Sequence, residues 1–177
     1  MEPLDLSRLK LTSIKQKRHK VKKSAFAKPW VPGQSFSDFV NSLPSILAGK
    51  AFGEVCGRIV TAVSQRRMVL LGMGAHPIKV GLSPLLIHWM EKGVLKGLAM
   101  NGAGLVHDVE LAMIGHTSEE VDVELHQGTF GMVRETQEII NYTIREGEKE
   151  GLGLGEALGR KVATGGFPYK HLSLLAS

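Results

Sequence analysis

The sequence predicts an α/β protein with a Rossmann-like, doubly wound and mostly parallel sheet, and three observations predict it. A short continuous apolar run over 68–73 ends at the glycine-bearing turn Gly72-Met73-Gly74. A helical pattern follows over 82–92. A second apolar run over 94–100 ends at another such turn, Asn101-Gly102-Ala103-Gly104. Strand, helix and strand within about 33 residues form one β-α-β unit, long enough for a right-handed crossover. Continuous apolar runs of this kind suit buried parallel strands.

Length and composition bound the rest. A chain of 177 residues that is 43% hydrophobic suits one domain with a real core and a short appendage. No stretch of about 18 apolar residues is present to span a bilayer. The charged amino terminus has no apolar segment typical of a secretory signal. Cys56 is the sole cysteine, so no internal disulfide forms and a reducing, cytoplasmic setting is expected. A lone cysteine in an apolar helical stripe is expected to be a small buried hydrophobe rather than a nucleophile.

The net charge of +5 is concentrated at one end. Residues 1–28 hold nine Lys/Arg against Glu2 and Asp5, a net +7, with Arg8, Lys15, Lys20 and Lys28 marking the run. The remaining chain holds 13 Lys/Arg against 15 Asp/Glu, a net −2. The basic character therefore belongs to an arm over 1–34 that closes in Pro29-Trp30-Val31-Pro32-Gly33, and a single α/β domain is expected over 35–177. Charge alone would let the arm meet nucleic acid or an acidic surface. No Phe, Tyr or Trp interleaves the Lys/Arg run from Arg8 to Lys23, so a stacking platform for single strands is not supported. A solvated arm packing on a neighbouring subunit is the favoured reading.

Ser35 or Ser37 reads as a helix cap, with Phe36, Phe39, Val40, Leu43, Ile46 and Leu47 at helical spacing and Pro44 as a break. A second helix is expected over 50–66, with a stripe of Ala51, Phe52, Val55, Ile59, Val60 and Val63. In the helix over 82–92, Leu85, Leu86, Trp89 and Met90 are expected to face inward. After a helix over 105–115, Thr117-Ser118-Glu119-Glu120 resembles a capping box, and Val121-Asp122-Val123 is at most a short third strand. Helices over 132–147 and 155–163 complete the chain, followed by Gly165-Gly166-Phe167-Pro168-Tyr169-Lys170-His171. So many apolar helices around so few strands leave apolar faces for a partner chain to cover.

In open α/β sheets ligands sit beyond the carboxyl ends of the strands. Both glycine turns lie there, and free N–H groups at a following helix start favour phosphate. Neither turn has the G-x-G-x-x-G spacing of dinucleotide-binding folds. His76, His107 and His116, with Asp108 and Glu110, raise the question of a metal. No H-x-x-x-H or C-x-x-C pattern is present, and residues 107, 108 and 110 cannot share one helix face, so no metal is expected. The cluster reads instead as ligand-contacting or as a hydrogen-bonding network. No G-x-S-x-G signals a serine hydrolase.

These residues resemble the deoxyhypusine synthase family over about 35–177. Ala75-His76-Pro77-Ile78-Lys79-Val80-Gly81 stands in place of the family's Ser-Asn-rich turn. Asn101-Gly102-Ala103-Gly104 is similar to its Thr-Ala-Gly-Gly turn, and His107-Asp108 falls where the family carries Glu-Asp. The Gly165–His171 stretch is similar to its Gly-rich Lys-His-His segment. Bacterial and archaeal deoxyhypusine synthase-like proteins share stretches similar to 35–48, 101–112 and 128–136. The resemblance implies a homo-oligomer, tetrameric in the family, that binds NAD at subunit interfaces. It implies a transferase that oxidises spermidine or a related polyamine and passes on its aminobutyl group through a lysine imine. Carried over by position, Gly74, Ala75, His76, Gly81, Asn101, Gly102, Ala103 and Gly104 would contact NAD. His107 and Asp108 would lie near the ribose or nicotinamide, and His171 near the polyamine. The family's catalytic lysine lies downstream in a Trp-bearing motif that this sequence does not contain, and Lys170 does not take its place. The sequence thus reads as an amino-terminal portion, which leaves open a second polypeptide that carries the missing carboxyl-terminal half. The alternatives are a non-catalytic ligand-binding or assembly protein that retains the fold, and nucleic-acid binding through the basic arm.

Overall fold

The computed structural model describes residues 6, 7 and 9–177, so Glu2, Asp5 and Arg8 of the basic arm lie outside the described residues. The chain divides into two compact units, the first ending at Arg58 and the second beginning at Ile59.

The first unit contains two 3₁₀ turns (Ile14–Gln16 and Lys23–Ala25), helix α1 (Phe36–Ser42) and the start of α2 (Leu47–Ser64). Ser35 is the cap of α1, through a reciprocal pair of bonds. Its Oγ accepts from the Asp38 N–H at 3.1 Å, and the Asp38 carboxylate accepts from the Ser35 N–H at 3.0 Å. The Ser35 hydroxyl also donates to Asp38, and these bonds hold the Asp38 carboxyl below its ordinary value. The helix stops at Leu43, because the residue before a proline is pushed out of helical geometry. The arm is tied to this break: the Lys28 N–H donates to Ser42 O at 2.9 Å, and the Ser45 N–H donates to Ala25 O at 3.0 Å.

The expected apolar stripes of α1 and α2 exist as stripes but are not buried. Phe36 is 78% and Leu47 84% exposed, and none of the 18 residues of α2 is buried. Cys56 on α2 is exposed as well, which corrects its reading as a buried hydrophobe.

The second unit runs β1 (Leu70–Met73), α3 (His76–Lys79), α4 (Ser83–Glu91), β2 (Gly97–Met100), α5 (Gly102–Ile114), α6 (Val121–Gln127), α7 (Arg134–Lys149) and α8 (Leu154–Thr164). The two strands pair in parallel, from Leu70 opposite Gly97 to Met73 opposite Met100. The predicted β-α-β unit is therefore present, within a mixed α/β architecture in which 55% of the chain's described residues are helical and 5% lie in strands. The strands are not buried on both faces. Leu71, Met73, Leu98 and Met100 pack against Ile78, Leu86 and Leu174. The alternate residues Leu70, Gly72 and Ala99 point the other way and are exposed, as a period of two requires.

A second cluster joins α5 to α8. Leu105, Val109 and Ala112 recur every three to four residues along α5 and meet Leu158 and Val162 of α8. Gly147 of α7 permits a close approach to α8, since a Cβ there would lie 2.5 Å from that of Ala157.

Three sequence expectations are corrected in this unit. Of the four residues expected to face inward on α4, only Leu86 and Met90 do, and Ile87 joins them. Leu85 is 61% exposed, and Trp89, one turn on, shares its open stripe. Residues 121–123 open α6 rather than forming a strand. Residues 117–120 are not a capping box: Glu120 precedes α6 without a side-chain cap, and the Thr117 hydroxyl is engaged elsewhere. Among the described residues no helix is long and apolar enough to cross a membrane.

Candidate functional site

The two predicted turns meet at the carboxyl ends of the parallel strands. A Cβ built on Gly74 would lie 3.9 Å from Asn101 Nδ2, so the turns are side by side. Asn101 caps α5, its Oδ1 accepting from the Gly104 N–H at 3.1 Å. The N–H groups of Gly102 and Ala103, ahead of that bond, have no partner within the helix, as at any helix start. Gly74, His76, Asn101, Gly102 and Ala103 are exposed, and Ala75 is half-buried. Gly81 closes the turn after α3 at φ 81°, a left-handed conformation that favours glycine.

The remaining predicted residues separate by direction. Gly104 is buried, and a Cβ on it would press the Met100 side chain, so it serves helix–strand packing. Asp108 is fully buried on the inner face of α5. Its Oδ2 accepts from Ser173 Oγ–H at 2.5 Å and from the Leu175 N–H at 3.2 Å. Its Oδ1 accepts from the Leu174 N–H at 2.7 Å. Burial raises its carboxyl above the ordinary value, opposed by these three bonds. The carboxylate holds the last residues of the chain in the core and is not presented to a ligand. His171 is exposed beside Tyr169, over a hollow that also involves Ile87, Glu91 and Lys170.

His107, one position earlier on α5, faces outward with Glu110, one turn along. Together with Lys79, Val106, Phe130, Gln137 and Ile140 they line a groove of about 300 Å³. This groove shares no lining residue with the hollow at His171. His107 Nδ1 lies 2.7 Å from Thr117 Oγ1, and the Thr117 hydroxyl donates to Glu110 Oε2. The direct separation of Nδ1 and Oε2 is 3.5 Å. Thr117 was not singled out for this role by the sequence, because its linkage to His107 spans ten positions and a turn. Ser118, immediately after it, stands at φ 73°, a left-handed conformation unusual outside glycine. Among the described residues no group of three acidic, His or Cys side chains could hold a metal.

The class these features define is a mixed α/β protein with an open carboxyl edge on a parallel strand pair. No protein-family model, curated protein or solved structure matches the chain.

Proposed function

We propose that the chain is the NAD-binding part of a deoxyhypusine synthase-like protein with a Rossmann-like, doubly wound sheet. The observation that carries this reading is the pair of adjacent glycine turns at the carboxyl ends of β1 and β2. The residues present fit a pyrophosphate. Gly102 and Ala103 offer unpartnered N–H groups at the start of a 13-residue helix. A Cβ on Gly72 or Gly102 would meet nothing within 4 Å, so the backbone there is open to approach. When bound, NAD would supply a hydride acceptor, and in the transferase the resemblance implies it would take hydride from spermidine or a related polyamine. The part of this chain is to hold and orient the cofactor.

Titration calorimetry of the intact protein with NAD is expected to show saturable binding. Gly102→Val is expected to weaken it at least about tenfold, since the branched side chain would cover the N–H donors while the fold, read by circular dichroism, stays intact. No heat of binding to a folded, oligomeric sample overturns the reading.

A second reading, an assembly protein that keeps the fold without chemistry, is favoured by the uncovered sheet face. Parallel sheets are ordinarily covered on both sides, yet Leu70 and Met68 are each more than two-thirds exposed. Both readings expect self-association. Sedimentation should give a mass above the 19.2 kDa of one chain, and Leu70→Glu should lower it. A wild-type protein that sediments as one chain at micromolar concentration removes the assembly reading.

A further inference from the structure

The groove at His107 has a chemistry of its own that does not depend on dinucleotide binding. A carboxylate only accepts hydrogen bonds, so the single proton of the Thr117 hydroxyl goes to Glu110. The Thr117 oxygen then offers lone pairs alone to His107 Nδ1, 2.7 Å away. A bond at that distance requires the ring proton on Nδ1. The lone pair therefore sits on Nε2, which has no protein partner among the described residues and is not among the buried unpartnered atoms. The mostly buried side chains of His107 and Glu110 hold this arrangement at the groove wall, 17% and 13% exposed. Two further features converge here. Ser118 keeps a left-handed backbone next to Thr117, the kind of strain that persists where a site over-determines it. Thr136, almost fully buried, lines the same groove with its Oγ1 lacking any partner. Lys79, Phe130 and Ile140 also line the groove, as does Glu119, whose carboxylate is engaged by the Gly131 N–H at 2.9 Å.

We propose that this groove binds a small hydroxylated anion. Its hydroxyl donates to His107 Nε2, its carboxylate or phosphate pairs with Lys79, and its carbon frame lies against Phe130 and Ile140. Thr117 and Glu110 are positioning residues that fix which ring nitrogen accepts, the role a carboxylate commonly plays behind a functional histidine.

The test is nitrogen-15 NMR on the full chain labelled at histidine. Neutral His107 is expected as the Nδ1–H tautomer, a measurement that needs no variant. Thr117→Val should release the ring to the Nε2–H form, while Thr117→Ser retains the wild-type tautomer. D-glycerate and glycerol phosphate, as carboxylate and phosphate probes, should each be titrated. At least one is expected to shift the His107 Nε2 resonance saturably, and Lys79→Ala should weaken that probe at least about tenfold. Glycerol and inorganic phosphate, each lacking one of the two groups, should bind more weakly by a similar factor. An Nε2–H tautomer in the wild type overturns the proposal, and so does the absence of a saturable shift with both probes.

Discussion

Asp108→Ala is expected to lower the unfolding free energy by about 3 kcal/mol or more, measured by urea denaturation followed by circular dichroism. The magnitude follows from what the carboxylate accepts. Removing it strands the Ser173 hydroxyl and the N–H groups of Leu174 and Leu175. Each buried donor left without a partner costs about 1–3 kcal/mol. Asp108→Asn keeps the shape and one accepting oxygen, so its loss should be smaller, about 1–2 kcal/mol. A loss below about 1 kcal/mol for the alanine variant means that Asp108 does not hold the carboxyl-terminal segment.

The same site has a signed pH dependence. Burial raises the Asp108 carboxyl above its ordinary value of 3.8, even against three donors. The fold therefore favours the protonated acid more than the unfolded chain does. The stability linked to its protonation is fully present below the ordinary value and is lost as pH rises through the higher folded value. The stability difference between wild type and Asp108→Asn should accordingly shrink as pH rises through that window. A carbon-13 titration of the carboxyl should place its midpoint above 3.8.

What the sequence made legible was whatever local chemistry decides. The β-α-β unit followed from two apolar runs separated by a helical period, and both strands fall inside them. The break before Pro44 and the Ser35 cap are local as well. What escaped it depends on distance in the chain. Asp108 and His107 are neighbours, and a motif reading assigns both to one ligand. On a helix they diverge by about 100°, one into the core and one to a groove. Which way each points is decided by partners at 173–175 and at 117. Likewise an apolar stripe tells that a face can be buried, not that it is. Phe36, Leu47, Phe52 and Leu85 share the pattern of core residues and stay exposed. Thr117-Ser118-Glu119-Glu120 carries the spacing of a capping box, but α6 begins only at Val121, too late for Thr117 to be its cap, and the Thr117 oxygen faces His107 instead.

Gly159→Ala sets two of these effects against each other and gives a result whose sign is decisive. Glycine within a helix is less favourable than alanine by about 0.5–1 kcal/mol, so helix propensity alone predicts stabilisation. Gly159, however, is buried on the face of α8 that meets the end of the chain. A Cβ there would overlap the carbonyl oxygen of Leu175, with the carbonyl carbon only 3.2 Å away. A backbone carbonyl cannot swing aside as a side chain can, and Leu175 is fixed by its own bond to Asp108. Overpacking of this kind costs about 1–3 kcal/mol, which outweighs the propensity gain. The expected outcome is a net loss, while Gly155→Ala in the same helix, with open space around its Cβ, should show none. Because Gly159 and Asp108 hold one segment from two sides, combining Gly159→Ala with Asp108→Ala should cost less than the sum of the two. Once the segment has left the core, the added methyl has nothing to strike. A strictly additive pair would mean that residues 173–175 remain in place after Asp108 is removed, and that Gly159 acts through α8 alone.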